Sequence, residues 1–226
     1  MPGDHDFDLR SAILNIMVLT WGLRMAIYVY LRTYKGEEDR RFANLRTKLM
    51  EGGGPVLFYC VSFFGIYMFN GLVIIAINSS ALYVSYYSTP DQKLGPLDYI
   101  GILIWLFGFI ILVSADHQLR IFKNKRRNNE TNGERLCKKG LWKYSRHPNY
   151  FGECVLWWGV YLIACGTDDN GWITIWSPIL ITLLLRFGSG VPMNEELYKD
   201  NKEYDYYKQV TNVFVPMPPK SSQSGN

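Results

Sequence analysis

Gly140-Leu-Trp-Lys-Tyr-Ser-Arg-His-Pro-Asn-Tyr-Phe-Gly-Glu153 lies where a basic loop runs into an apolar hairpin. Charged and hydrogen-bonding side chains crowd the mouth of a hydrophobic segment, a costly place for ionisable groups, so the stretch reads as a ligand site. Arg146 and His147 suit an anion. Pro148 fits the first turn of a helix, where its missing N–H costs nothing, and the free N–H groups of that turn favour phosphate or carboxylate beside a guanidinium. Asn149 and Glu153 are four apart, so they share a helix face and are spaced to grip an amide or hydroxyl together.

Outward from this stretch, the 226 residues segregate sharply. Apolar runs cover 13–31, 56–78, 97–114, 150–165 and 172–187, each close to the roughly 20 residues that a helix needs to cross a bilayer. The expected fold is therefore all-α: a polytopic transmembrane bundle of about five spans. Lys and Arg number six in 32–55, ten in 116–149 and four in 189–226. With five spans these blocks fall on one side, which the positive-inside rule makes cytosolic. Asp4, Asp6 and Asp8 then lie opposite, with the loop at 88–96 and the Asp168-Asp169 turn. The excess of positive charge is a topology signal and does not point to nucleic acid.

The expected organisation is a polar segment 1–10, a membrane domain 11–217 and a disordered tail 218–226. Gly52-Gly-Gly-Pro55 should break a charge-rich stretch before the second span, and 116–127 should continue the third span as a helix. Met193 to Val210 reads as one polar helix. Cys60, Cys137, Cys154 and Cys165 show no paired spacing and the three histidines are scattered, so neither disulfides nor a metal site are expected. The N-terminus lacks the basic and small-residue features of a cleaved signal peptide.

Several residues carry two readings. Arg24, mid-span, either faces a polar cavity or pairs to fix packing. Glu37-Glu-Asp-Arg-Arg41 reads as a solvated surface run. Asp116 holds a ligand or meets Arg120, four residues on. The cluster 123–127 anchors anionic head groups or holds cofactor phosphates, for which Arg135, Lys138, Lys139 and Arg146 are better placed. Tyr204 and Tyr207 either stack on a planar ring or pack against the membrane surface. Trp157 and Trp158 belong to an aromatic packing set.

The central motif, Trp158-Gly159 and the closing Tyr-x-x-Tyr-x-x-x-Val-x-x-Phe-Val-Pro at 204–216 resemble the steroid 5-alpha-reductase superfamily, and most of all its branch of uncharacterised membrane proteins. Trp21-Gly-Leu-Arg24 and Glu38-Asp-Arg-Arg41 resemble that branch too, so the likeness covers about 10–217. It implies NADPH held at the cytosolic face of the bundle. It also implies hydride transfer to a conjugated C=C bond of a steroid-like or other lipid drawn from the bilayer. By position it gives cofactor roles to Asp116, Arg135, Asn149 and Glu153, with Lys123, Arg146, His147 and Tyr204 beside them. It suggests the endoplasmic reticulum as the membrane. Members of the branch carry more membrane sequence ahead of the segment starting here near Arg10, an expected shortfall of about two spans. The catalytic Glu of the steroid reductases has no counterpart, and Trp21 stands where their Tyr does, so no proton donor is assigned.

Two other functions compete. Isoprenylcysteine carboxyl methyltransferases, which use S-adenosylmethionine, share an Arg-His-Pro-x-Tyr-x-Gly motif and a late Glu-Glu-x-Leu, and Glu195-Glu-Leu-Tyr198 and Tyr204-Asp-Tyr-Tyr207 are similar. The third is a reductase-like bundle without catalysis.

Overall fold

The computed structural model describes residues 8–34, 40–131 and 133–220. Asp4, Asp6, most of the 37–41 run and the last six residues of the tail lie outside them. Two compact units divide the chain, Met1–Gln92 and Lys93–Asn226.

The first unit contains α1 (Leu9–Tyr34), α2 (Arg40–Cys60), a π-helical stretch Val61–Met68, α3 (Phe69–Ile77) and α4 (Ser79–Tyr87). Asp8 starts α1 by accepting from the Arg10 N–H at 3.1 Å, and Arg10, itself buried, donates to Gln92 Oε1 at 2.7 Å. Leu14, Met17, Ala81 and Val84 bury the contact of α1 with α4. The expected break appears at Gly54, whose φ of 68° and ψ of −169° only glycine takes readily, just ahead of Pro55. Phe63, Phe64 and Tyr67 beyond it are exposed, as lipid-facing side chains are. Arg24 is half-buried in α1.

The second unit is built on α5 (Pro96–Arg127) and α6 (Pro148–Cys165). Pro96 opens α5, and the buried Asp98 carboxylate accepts from the Gly95 N–H at 2.7 Å. As expected, α5 runs on through the charged residues to Arg127. Two glycines seven residues apart on each helix let the backbones touch. A Cβ on Gly159 would stand 2.6 Å from the Gly101 carbonyl oxygen, and one on Gly152 2.7 Å from that of Gly108. This pairing makes α6 antiparallel to α5, and Gly166 comes to rest against Leu97 and Asp98. Trp105, Leu112, Leu156, Trp157, Val160 and Ile163 fill the interface. A tight turn at Gly171–Ile175 leads into α7 (Trp176–Phe187), which packs on α6, then α8 (Val191–Glu196) and α9 (Lys202–Val210).

Among the described residues, four stretches are long and apolar enough to cross a membrane: Leu9–Leu31, Arg46–Ile77, Pro96–Arg127 and Gly171–Glu196. They match four of the five expected runs. The other, 150–165, lies in α6, whose polar first turn lowers its apolarity and most of whose residues are buried. The single polar helix expected over 193–210 is instead two, because Asn201 Oδ1 accepts from the Glu203 and Tyr204 N–H groups and starts α9 afresh. Lys220, within the stretch expected as tail, donates its N–H to the Val210 carbonyl at 2.9 Å.

Candidate functional site

The motif 140–153 is suspended between three elements. Gly140 has φ 62°, and a Cβ there would lie 2.5 Å from Gln118 Oε1. The same Gln118 oxygen accepts from the Leu141 N–H at 2.9 Å, and the Trp142 indole N–H donates to the Ala115 carbonyl at 3.0 Å, so the turn is pinned to α5. From α9, the Tyr207 hydroxyl donates to the Trp142 carbonyl. The C-terminal segment closes the third side. Ser145 Oγ donates to the Phe214 carbonyl at 2.7 Å, and the Arg146 N–H to that of Asn212 at 2.8 Å.

Arg146 and His147 meet an anion, and the anion is the chain's own Glu195 in α8. Glu195 Oε1 accepts from Arg146 Nε at 2.9 Å and lies 3.2 Å from His147 Nε2, with Lys208 Nζ 3.7 Å from its other oxygen. A second nitrogen of Arg146 donates to the Thr211 carbonyl at 2.8 Å and the Lys208 carbonyl at 3.1 Å, at the end of α9. Arg146 thereby ties α8, α9 and the C-terminal segment to the start of α6, leaving little of its charge for an outside phosphate.

Burial pushes the His147 imidazole below its ordinary pKa, outweighing the upward pull of Glu195, and Arg146 and Arg186 add to the depression. The unfolded chain therefore binds more protons at this site below about pH 6.5, so its contribution is complete above that value and lost as pH falls. The melting temperature in neutral detergent should drop between about pH 7.5 and 5.5, and His147→Gln should flatten the slope. An unchanged slope in the variant would remove His147 from this role.

Asn149 and Asp116 come together across the α5–α6 pair, Asn149 Nδ2 donating to Asp116 Oδ1 at 3.1 Å. Asn149 Oδ1 is buried and has no hydrogen-bond partner among the described residues. Glu153 is buried one turn further along α6. The three polar groups thus share one end of the helix pair, and the orphaned oxygen calls for an N–H or O–H donor. The Arg120 guanidinium, the alternative partner for Asp116, lies 3.1 Å from His117 Nδ1.

The other expected residues lie apart from this cluster. Lys123 and Arg135 are exposed, Lys123 about two turns beyond Asp116. No hydrogen bond or ion pair joins their side chains to the cluster among the described residues; the Arg135 carbonyl accepts from Arg126 at 3.4 Å. Lys138 pairs with Glu203 at 2.6 Å and Lys139 with Glu134 at 3.5 Å. Tyr204 is buried with Leu136 and Tyr207, its ring stacked on Tyr198 at 4.7 Å and Lys208 Nζ 5.1 Å from its centroid. Burial raises the pKa of both buried tyrosines, keeping their hydroxyls neutral. Sequence reasoning noted Glu195 only for its likeness to a methyltransferase motif and passed over Gln118; their long-range contacts bring both into the site.

The family described as "Protein of unknown function (DUF1295)" matches residues 3–211. The 3-oxo-5-alpha-steroid 4-dehydrogenase 1 of Bos taurus is 27% identical over 171 residues, 74% of this chain and 60% of that protein. Its Homo sapiens namesake is 34% identical over 214 residues, 92% and 70% respectively. An uncharacterized protein of Schizosaccharomyces pombe is 23% identical over 177 residues, 71% and 50%. The chain thus spans only half to three fifths of the length of the Schizosaccharomyces pombe and Bos taurus relatives. No solved structure matches it. An all-helical chain with apolar helices of membrane-crossing length, matched in this way, belongs to the DUF1295 family and with it to the steroid 5-alpha-reductase superfamily.

Proposed function

We propose that this chain is an NADPH-dependent membrane oxidoreductase that reduces a C=C bond of a steroid-like or other lipid taken from the bilayer. One observation carries the reading: the buried Asn149 Oδ1 without a partner, set beside Asp116 and Glu153. A carboxamide offers two N–H donors, and an acceptor aimed from the start of α6 with a carboxylate one turn away suits that group. Asn149 and Glu153 would orient the nicotinamide end, and the exposed Arg135 and Lys123 would meet the phosphates. When bound, NADPH supplies a hydride. The chain's own residues fix where its ring sits, because Gln118, Tyr207 and Glu195 hold the turn that delivers Asn149.

The close antiparallel pairing of α6 with α5 supports α6 as the fifth crossing, which keeps the basic blocks on a common, cytosolic face. The endoplasmic reticulum is the membrane proposed.

The test is melting temperature in detergent with NADPH, NADH or S-adenosylmethionine. A ligand that binds only the folded state at about 100 times its Kd stabilises by roughly 2.7 kcal/mol, a shift of about 5–10 °C for a chain of this size. NADPH should produce that shift in the wild type and not in Asn149→Ala. Stabilisation by S-adenosylmethionine alone would move the chain to the methyltransferases. No response to any of the three would leave a bundle without this cofactor site.

A further inference from the structure

Arg186 stands in the last turn of α7, at the polar end of an apolar run. Its guanidinium lies 4.7 Å from the centre of the Phe187 ring, and among the described residues it has no carboxylate or carbonyl partner. Arg146 differs, since its Nε donates to Glu195 and its Nη1 to two carbonyls. Arg186 is the charged member of the lining of a cavity of about 320 Å³ between α7 and the C-terminal segment. The opposite wall is apolar: Val213, Phe214, Val215 and Met217. That wall is fixed in advance, because Phe214 and Asn212 accept from Ser145 and Arg146, and the Met217 N–H donates to the Tyr144 carbonyl at 3.0 Å.

An unpaired cation beside an apolar slot at the end of a membrane helix suits an amphiphile with a negative head. The planar guanidinium matches carboxylate or phosphate bidentately. The volume is at the low end of small-molecule sites, about 300–1,000 Å³, which suits one chain rather than two. We propose that this groove binds a single-chain anionic lipid, its carboxylate or phosphate on Arg186 and its chain along Val213, Phe214, Val215 and Met217. The groove adjoins the motif, since Arg186 acts on His147 and Asn212 accepts from Arg146, but none of its lining residues belongs to the Asn149 cluster.

The experiment measures binding of labelled dodecanoate, dodecyl phosphate and dodecanol to the full chain in phosphatidylcholine nanodiscs, with empty discs subtracted. Both anions should bind about tenfold or more tighter than dodecanol, the worth of one charge-assisted contact. Arg186→Gln should erase that advantage while leaving any melting shift with NADPH intact. Val213→Trp, which fills the slot, should weaken both anions. A preference for dodecanoate assigns the natural ligand to fatty carboxylates, and a preference for dodecyl phosphate assigns it to phosphate monoesters; either result supports the site. Equal binding of dodecanol and dodecanoate by the wild type overturns it, whether or not the variants fold. So does anion binding unchanged in Arg186→Gln, above all if that variant loses the NADPH shift, because the guanidinium would then serve the cofactor.

Discussion

Gly159→Leu should melt far below the wild type, or fail to fold, although it adds only aliphatic carbons to an apolar helix. The first added carbon would sit 2.6 Å from the Gly101 carbonyl oxygen, 2.7 Å from Trp105 N and 3.0 Å from Trp105 Cβ. Two of these neighbours are backbone atoms and cannot turn aside like the end of a side chain. The helices must separate, and they share the register set by Gly108 and Gly152, so the packing loosens along their whole length. In lipid there is little hydrophobic force to bring helices back, and close packing of small residues is the main attraction. Overpacking of this kind costs about 3 kcal/mol or more, roughly 6–12 °C for a chain of this length. Gly22→Leu is the control: it lies in α1 with nothing within 4 Å of its added carbon, and should melt like the wild type. A Gly159→Leu protein with an unchanged melting curve would mean that the glycine contact does not hold the pair together.

That pairing shows where the sequence was legible and where it was not. The apolar runs, the break at Gly52-Gly-Gly-Pro55 and the continuation of α5 to Arg127 all follow from local composition, because span length and helix breaking are local. The close approach of α5 and α6 was written in the seven-residue spacing of Gly101 with Gly108 and of Gly152 with Gly159, but a spacing on one helix does not name its partner. The division of 193–210 turned on Asn201, whose capping oxygen competes with a helix that composition alone would have continued. Asn149 and Glu153 on one face followed from their spacing. Arg146 as an anion binder was right in chemistry, but its anion lies 49 residues away in the same chain. A single sequence shows that Glu195 is acidic, and only the return of α8 and α9 past the start of α6 shows what it neutralises.

Glu195→Ala follows from that return and should be the second most damaging change. Arg146 and His147 have side chains only 10% and 8% exposed, and Glu195 is the acid that both contact. Removing it leaves a buried guanidinium facing an apolar methyl group, and breaking one side of a buried pair costs about 3–5 kcal/mol because the remaining charge is stranded. The adjacent Glu196 is the control. It pairs with Lys199 at 3.0 Å, but the two side chains are 68% and 70% exposed, so Glu196→Ala should change stability by less than about 0.5 kcal/mol. Glu195→Gln should fall between them, since an amide oxygen still accepts from Arg146 Nε without answering its charge. A double-mutant cycle with Arg146→Met separates the pair from the tether: if stranding of the guanidinium dominates, the double variant should be more stable than Glu195→Ala alone. Losses that simply add would instead place the damage in α8, with the contact between the two residues incidental. Because Arg146 adjoins the turn that presents Asn149, the same variant should also weaken any stabilisation by NADPH, and Glu196→Ala should leave it intact. Equal responses of the two glutamate variants would break the link between the Glu195 knot and the site at the start of α6.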